Sequence, residues 1–246
     1  MSARSTPRSL RVERMGRAPY GRMLALQQHR HAEVDAGAVD DTLFLLEHDP
    51  VVTLGRNTRA GHILASQANL QARGVAVHET GRGGDVTFHG PGQVVGYPIV
   101  SLQPPERDIK GYVWCLEEIL IRTAADFGVT AERIEGLRGI WVGREKIAAI
   151  GVRIARWTTM HGFALNVDVD LAAFRLIVPC GLHDMGVTSL GRLLGEPPPI
   201  EQVEERLIAH SETVLQRTAY RATASALPAS ALALRPPAAA RLEDSR

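Results

Sequence analysis

The chain has 246 residues, of which 45% are hydrophobic and 22% are charged, so it is long enough to bury the core of one globular domain. Lys and Arg number 28 against 27 Asp and Glu, and a net charge of +1 gives no reason to expect nucleic acid as a partner. Cys115 and Cys180 are too few for a disulfide framework, and no stretch approaches the roughly 20 apolar residues of a membrane helix. The composition predicts a cytoplasmic, reduced globular protein that binds neither nucleic acid nor a membrane.

The two ends of the chain differ in composition from the rest. The first dozen residues are rich in Arg and Ser, which faintly resembles a transit peptide, but Pro7 and the shortness of the stretch oppose that interpretation. After Arg221 the chain consists mainly of Ala, Pro, Ser and Arg without periodicity. We therefore predict a disordered start at 1–10, one catalytic domain at 11–220 and a disordered tail at 221–246.

The hydrophobic pattern between these ends predicts short strands interleaved with a few helices. Helical spacing is found at 20–37, 108–128 and 200–220, and the second of these helices ends at Gly128. Short apolar or alternating runs, typical of strands, lie at 42–47, 51–54, 75–80, 93–100, 162–169 and 176–178. Residues 139–142 and 146–154 flank Gly143 and are predicted to form a hairpin.

The most informative stretch is residues 82–93, RGGDVTFHGPGQ, which combines a glycine loop with polar side chains. Gly83 and Gly84 allow positive φ and a close approach of the backbone to a ligand, and Thr87, His89 and Gln93 offer donors and acceptors. A plain hairpin turn is the simpler interpretation. The spacing of the phosphate-binding glycine motifs is absent, so nucleotide binding is not indicated.

Cys180 follows an apolar run and lies between Pro179 and Gly181. This position predicts an exposed thiol at the end of a strand. Cys115 lies within a predicted helix, where a lone cysteine is usually a small buried side chain. The two cysteines are therefore expected to differ in reactivity.

Lys146 begins the second strand of the predicted hairpin and is either a solvated lysine or a partly buried one. Alternation would place it on one face with Ala148, Ile150 and Val152. If that face is inward, the ammonium group needs an anion, and a cysteine thiolate would serve. His89 and His161 fit ordinary structural roles, and no His, Cys, Asp and Glu cluster has the spacing of a zinc site, so no metal is predicted.

Four motifs in order make the chain resemble the lipoyl(octanoyl) transferase family, which is related to the biotin and lipoate protein ligases. They are RGGxxTFHGPGQxxGYP at 82–98, KIAAIG at 146–151, HGFALN at 161–166 and IVPCG at 177–181. The resemblance extends from about Leu10 to Tyr220 and excludes the tail after Arg221. It implies an α+β fold in which helices flank a mixed β-sheet.

The resemblance also implies an activity. Members of the family transfer an octanoyl or lipoyl group from acyl carrier protein to a lysine of a lipoyl domain, the first step of protein lipoylation. The implied acceptors are the lipoyl domains of 2-oxoacid dehydrogenase complexes and the glycine cleavage H protein. No cofactor is implied, because a thioester donor is already activated, and we expect a monomer.

The family's site residues carry over to positions of this sequence that match its motifs. Cys180 would hold the acyl group as a thioester, and Lys146 would lower the pKa of the Cys180 thiol and then accept a proton from the incoming lysine. Phe88 and Phe163 would act as apolar walls, and His89 would orient the carbonyl end of the acyl group. The implied substrate-binding residues are Arg82, Gly83, Gly84, Asp85, Val86, Thr87, Phe88, His89, Ala149, Ile150, Gly151, Gly162, Phe163 and Ala164.

Two alternatives remain open from the sequence. An ATP-dependent lipoate or biotin ligase would share the fold but has no need of a cysteine placed like Cys180. A catalytically silent acyl-binding protein would use the pocket without turnover. The acidity of acyl carrier proteins adds one further expectation, a basic rim formed by Arg138, Arg144, Arg153 and Arg156.

Overall fold

The computed structural model describes residues 8–59, 61–178 and 185–225. The helices are α1 (Tyr20–Asp35), α2 (Gln67–Ala72), α3 (Ile109–Asp126), α4 (Leu190–Leu194) and α5 (Ile200–Leu215), with a 3₁₀ helix at Leu171–Leu176. The strands are β1 (Arg8–Ala18), β2 (Asp41–His48), β3 (Val51–Leu54), β4 (Ala76–Glu79), β5 (Thr87–His89), β6 (Gln93–Ile99), β7 (Ile140–Val142), β8 (Glu145–Ala155), β9 (Thr158–Asn166), β10 (Gly186–Val187) and β11 (Arg217–Arg221).

Two sheets are formed by the described strands. The larger has the order β10-β8-β9-β6-β2-β1-β11, and β7 pairs with β8 in addition. Its central pairs are antiparallel, whereas β1 is parallel to both β2 and β11. The smaller sheet has the order β4-β3-β5 and is also mixed. The predicted α+β fold with a mixed sheet is therefore confirmed.

Helices cover both faces of the larger sheet. Leu116 and Leu120 of α3 and Leu207 of α5 pack in one core with Leu45 and Leu165 of the sheet. On the opposite face α1 packs through its buried side chains, which include Met23 and Leu26, against strands β2, β6 and β9. A third cluster fills the space between the small sheet, α2 and the 3₁₀ helix. These layers leave the end of the large sheet at β8 beside the small sheet.

Three expectations about secondary structure are wrong. The first described element is a strand, which begins at Arg8 inside the segment 1–10 that was expected to be disordered. Helix α5 ends at Leu215, and Gln216 in a left-handed conformation (φ 54°) turns the chain into β11 rather than continuing the helix to residue 220. The run at 176–178 does not form a strand, because Leu176 ends the 3₁₀ helix and Ile177 makes one isolated bridge to Ile63.

The domain boundaries stay a prediction. Strand β11 reaches Arg221, and Ser225 donates from its backbone to the buried Glu13 at 2.6 Å, so ordered contacts continue past residue 220. Most of the predicted tail, residues 226–246, and most of the predicted disordered start lie outside the described residues.

Candidate active site

A cavity of ≈ 740 Å³ lies where the large sheet meets the small one. Strands β8 and β9 and the glycine-rich segment at 82–93 contribute most of its wall, and Tyr20 of α1 and Val113 of α3 close it from the two helical layers. A cavity of this volume is in the range that holds small-molecule ligands. It is the candidate site of the protein.

The cavity brings together nearly all of the residues that the sequence indicated. Those that line it are Arg82, Gly83, Gly84, Asp85, Val86, Thr87, His89, Lys146, Ala149, Ile150, Gly151, Gly162, Phe163 and Ala164. They come from the glycine loop and from the two consecutive strands β8 and β9, which converge at the open end of the large sheet.

Phe88 and Cys180 are the two exceptions. Thr87 and His89 face the cavity, so alternation along β5 turns Phe88 to the opposite side, where its ring lies 5.7 Å from that of Phe174 in the core of the small sheet. The expectation that Phe88 forms a wall of the cavity is therefore wrong. Cys180 lies outside the described residues, as do Pro179 and Gly181, and its proximity to Lys146 stays a prediction.

The glycine loop is fastened to the edge of β8. Gly83 donates from its backbone to the carbonyl of Val152 at 2.9 Å, and a Cβ at Gly83 would lie 3.3 Å from that oxygen. Gly84 has φ 89°, a conformation that side chains other than glycine rarely adopt. The positive φ expected at Gly84 is confirmed, whereas Gly83 serves close backbone contact instead.

The side chain of Arg82 anchors the glycine loop to strand β3. Its Nη2 group donates to the carbonyl of Thr53 at 2.7 Å and to the Thr53 hydroxyl at 2.9 Å, and its side chain is buried. A buried guanidinium group beside the cavity provides fixed positive charge there. Asp85 lies across the same loop and pairs with His62 at 2.6 Å.

Lys146 reaches the cavity through an irregularity of the sheet. The register between β7 and β8 shifts between Ile140 and Trp141, and Ile147 and Ala148 both pack into the core on the α3 side. The bulge interrupts the alternation, so Lys146 lines the cavity as Ala149 does, rather than sharing a face with Ala148 as predicted. Lys146 is 8% exposed, and its Nζ atom lies 4.7 Å from the centre of the Trp141 ring.

Small residues form the floor of the cavity beyond Lys146. Ala149 of β8 pairs with Ala164 of β9, and Gly151 pairs with Gly162. A Cβ at Gly162 would lie 2.2 Å from the carbonyl oxygen of Gly96, so only glycine fits there without displacing β6. Paired alanines and glycines leave space above two neighbouring strands, which suits a straight alkyl chain.

A chain of hydrogen bonds supports the wall next to this floor. Gln93 accepts from His89 Nδ1 at 2.7 Å and donates through its amide to the Asn166 carboxamide oxygen at 2.9 Å. Asn166 donates in turn to the carbonyl of Thr188, and the Thr188 backbone donates to the carbonyl of Lys146. The network therefore links the glycine-rich segment to the backbone that carries Lys146.

The network also determines the tautomer of His89. Burial lowers the pKa of His89 to about 3, so the ring is neutral. Because Nδ1 carries the proton that bonds to Gln93, Nε2 is an acceptor. The oxygen of an acyl carbonyl group can accept a hydrogen bond but cannot donate one. Two acceptors do not bond to each other, so this His89 tautomer is unsuited to the expected role of orienting an acyl carbonyl group by a hydrogen bond.

A second neutral histidine lies behind the first. His48 Nδ1 donates to the carbonyl of Ala18 at 2.8 Å, and the Tyr97 hydroxyl donates to His48 Nε2 at 2.7 Å. Burial lowers the pKa of His48 to about 4 and raises that of Tyr20 to about 12. The Tyr20 ring stacks on His89 with 6.3 Å between ring centres. These groups are uncharged at neutral pH, so they supply shape and hydrogen bonds rather than charge.

His161 has an unusual conformation for a strand residue. Its φ is 61°, its backbone donates to the side-chain oxygen of Gln27 at 3.0 Å, and its ring lies 6.4 Å from that of Tyr97 at the cavity wall. Burial lowers the pKa of His161 to about 3, and neither ring nitrogen has a partner among the described residues. A non-glycine residue at positive φ stores strain, which is common at functional sites.

Sequence reasoning missed the part of the cavity that lies on the α3 side. Ile109, Val113 and Leu137 line it there, and Arg56 and Arg59 line it near the glycine loop. One signal for this side of the cavity was present in the sequence. Ile109 is an apolar residue at the start of an amphipathic helix. Of the arginines expected at a basic rim, Arg138 lines the cavity, whereas Arg156 pairs with Asp35 at 2.7 Å.

The described residues contain neither a cluster of metal ligands nor a membrane-spanning helix. No group of three or more His, Cys, Asp and Glu side chains in the ranges 8–59, 61–178 and 185–225 is arranged to hold a metal ion. None of the helices in these ranges combines the length and apolarity required to cross a membrane. The expected absence of metals and cofactors stays a prediction.

The fold and sequence match known proteins over most of the chain. Residues 19–212 match the model of the lipoyl protein ligase A/B catalytic domain. An octanoyltransferase of Chloroflexus aggregans is 49% identical over 205 residues, covering 82% of this chain and 93% of the relative. An octanoyltransferase of Chloroflexus aurantiacus is 50% identical over 205 residues, covering 82% and 92%. A crystal structure of lipoate-protein ligase A bound with ATP superimposes with a TM-score of 0.76 at 16% identity, covering 92% of each chain.

The mixed sheet, its helical layers and the cavity at the end of β8 define an acyl-group enzyme of the lipoyl protein ligase A/B catalytic-domain class. The likeness to the ATP-bound ligase concerns the fold alone, because so few residues are identical. About half of the aligned positions are identical to those of the two Chloroflexus octanoyltransferases, over most of this chain and most of each relative. The chain therefore belongs to the octanoyltransferase family. It is an acyltransferase.

Proposed function

We propose that the protein transfers an octanoyl group from octanoyl-acyl carrier protein to a lysine of a lipoyl domain, through a thioester on Cys180. The observation that carries this proposal is the placement of the Lys146 ammonium group at a floor of paired alanines and glycines within one cavity. A cation beside an alkyl-shaped space suits a reaction in which an acyl group is held while a thiolate is stabilised.

The proposed transfer has two half-reactions. The Cys180 thiolate attacks the thioester carbonyl, its new carbon–sulfur bond forms, and the carrier's carbon–sulfur bond breaks. Lys146 stabilises the Cys180 thiolate and gives its proton to the departing thiolate of the carrier. In the second half-reaction the acceptor lysine attacks the acyl carbon, its excess proton passes to the neutral Lys146 amine, and the Cys180 thiolate is restored.

The acceptors in this proposal are the lipoyl domains of 2-oxoacid dehydrogenase complexes and the glycine cleavage H protein. Their identity is supported by the family to which the chain belongs. The proposed place of action is the cytoplasm, and the proposed state is a monomer without cofactor.

Intact-mass spectrometry tests the proposal. The protein mixed with octanoyl-acyl carrier protein alone should gain one octanoyl group, lose it when an apo lipoyl domain is added, and do so without ATP. Cys180→Ala should gain none, and Cys115→Ala should behave as wild type. Transfer from free octanoate that depends on ATP would support a ligase instead, and octanoyl binding without any transfer would support a silent binding protein.

A further inference from the structure

Part of the cavity is not needed for a single alkyl chain. The floor of Ala149, Gly151, Gly162 and Ala164 lies on the face of the sheet that α1 covers, as the packing of Ala164 in that core indicates. Ile150 packs against the core on the opposite face, yet it also lines the cavity, together with Val113 and Leu137 on the α3 side. The cavity therefore passes around the edge of β8 and has a second arm.

The edge of β8 offers backbone hydrogen bonds at this crossing. Gly83 donates to the carbonyl of Val152, so the carbonyl of Val152 points away from β9. In an antiparallel pair every second residue points its N–H and C=O the same way, so those of Ile150 also face outwards. Strand β7 pairs with β8 only as far as Ala148, and no described residue hydrogen-bonds to the outward groups of Ile150. An amide group of a ligand would match them.

The charges around the cavity favour an anion. Five cationic side chains line it, and Asp85, the single carboxylate among the described lining residues, is paired with His62. Arg138 follows Leu137 at the rim of the second arm, is exposed, and makes no salt bridge within the part of the chain that the structure describes. Arg56 and Arg59 are similarly placed at the glycine loop.

We propose that the second arm binds the prosthetic arm of the thioester donor, which has amide groups along its length and a phosphate ester at its far end. An amide of this arm pairs with the backbone of Ile150, its methylene groups contact Val113 and Leu137, and its phosphate pairs with Arg138. This inference rests on the proposed function, because it assumes a carrier-bound acyl donor.

The other candidate occupant is the acceptor lysine. That side chain is a cation with no amide along its length, so it complements neither Arg138 nor the outward N–H of Ile150. An anionic arm with amide groups complements both, although the exposure of Arg138 to solvent limits the gain in affinity from its pairing with phosphate to severalfold.

The test compares two soluble donors, octanoyl-phosphopantetheine and octanoyl-pantetheine, which differ only in the phosphate. We expect wild type to have about threefold higher kcat/KM for the phosphorylated donor, as for an ion pair that is exposed to solvent. Arg138→Ala should reduce this ratio to about one, and Arg138→Lys should restore part of it. Arg22→Ala is the matched control, since Arg22 is an exposed arginine that does not line the cavity, and it should keep the wild-type ratio.

Three results would overturn the inference while leaving the proposed function intact. One is a wild-type ratio near one. Another is an equal loss of kcat/KM with both donors in Arg138→Ala. The third is a raised KM for the lipoyl domain rather than the donor, which would assign the arm to the acceptor. Failure of wild type to transfer from either donor or from the carrier protein would instead contradict the proposed function.

Discussion

The ammonium group of Lys146 lies over the ring of Trp141, its neighbour across the β7–β8 hairpin, with 4.7 Å from Nζ to the ring centre. Trp141 is fully buried, so its ring cannot move away from the lysine without repacking the strand. The aromatic face thus limits where the ammonium group can lie, at a distance where cation–π attraction contributes about 0.5–2 kcal/mol. The sequence motif identified Lys146 but gave no role to this tryptophan.

We predict that Trp141 positions Lys146 for transfer. Trp141→Phe keeps an aromatic face and should retain most of the octanoyl transfer rate. Trp141→Leu removes it and should lower kcat at least tenfold, with a stability loss on the order of 2 kcal/mol. Rates measured well below the unfolding midpoint, together with urea unfolding curves, separate the two effects. Full activity of folded Trp141→Leu would contradict the prediction.

Alkylation with iodoacetamide at varied pH tests the pairing of Lys146 with Cys180. Burial raises the pKa of the Cys115 thiol, so Cys115 should react slowly. Cys180 should react with a pKa below the ordinary value of about 8.5. Lys146→Ala should raise that pKa, whereas Lys146→Arg should keep it low and yet lose transfer, because arginine holds its proton too tightly to pass it on.

Mass spectrometry of peptides containing each cysteine provides the measurement. Cys115→Ala serves as the control for the assignment of the fast phase. Superimposable pH profiles for wild type and Lys146→Ala would mean that the two residues are not coupled.

The alkyl floor predicts a preference for chain length. Each methylene contributes about 0.8 kcal/mol, so a hexanoyl donor should have a kcat/KM roughly fifteen-fold lower than octanoyl. Ala164→Val adds two methyl groups to the floor and should bring the two donors to similar values. Ala209→Val, on the exposed side of α5, is the control and should keep the preference. Equal rates for both donors in wild type would exclude a floor that measures chain length.

Buried neutral histidines predict a loss of stability in mild acid. The pKa of His48 is lowered to about 4 by burial, against about 6.5 in the unfolded chain. Between these values the unfolded state binds a proton that the folded state does not, so stability decreases as pH falls. The change from pH 7 to pH 5 is about 2 kcal/mol for this one group.

The free energy of unfolding is measured with urea for wild type and His48→Gln at pH 7 and at pH 5. Comparison of the two proteins gives the contribution of His48 to the loss of stability in acid. The glutamine variant should be less stable at pH 7 but should lose about 2 kcal/mol less on acidification. His29→Gln, at a partly exposed site on α1, should follow wild type. Parallel losses in wild type and His48→Gln would show that the His48 ring does not control the acid response.

Local signals in the sequence were sufficient for several elements. Helix α3 begins after Asp108, whose side chain accepts from the backbone of Lys110, and Gly128 in a left-handed conformation follows its end. The hairpin of β7 and β8 turns at Gly143, which has φ 58°. In each case the residues that set the boundary are neighbours in the chain, so tertiary contacts were not needed to find them.

Elements that depend on distant partners were missed. Strand β1 carries Glu13 into the interior, where Arg30 pairs with it at 3.0 Å, and nothing in the charged stretch around Glu13 indicates that partner. The residues of β11 fit a continued helix equally well, and pairing with β1 decides between the two. The second arm of the cavity was missed for the same reason, because α3 and β8 are distant in the sequence and come together only in the folded chain.

The orientation of Phe88, in contrast, follows from alternation with Thr87 and His89 and was predictable.

The parallel pairing of β1 with β11 has a consequence for biosynthesis. Arg8 lies opposite Arg217 and Val12 opposite Arg221, so the first described strand in chain order gains its second neighbour from the last one. Until then the outer edge of β1 presents unpaired backbone groups, which can pair with other nascent chains. The sheet is therefore completed only after nearly all of the described chain has been synthesised, and a protein that ends prematurely before Arg217 retains an edge prone to aggregation.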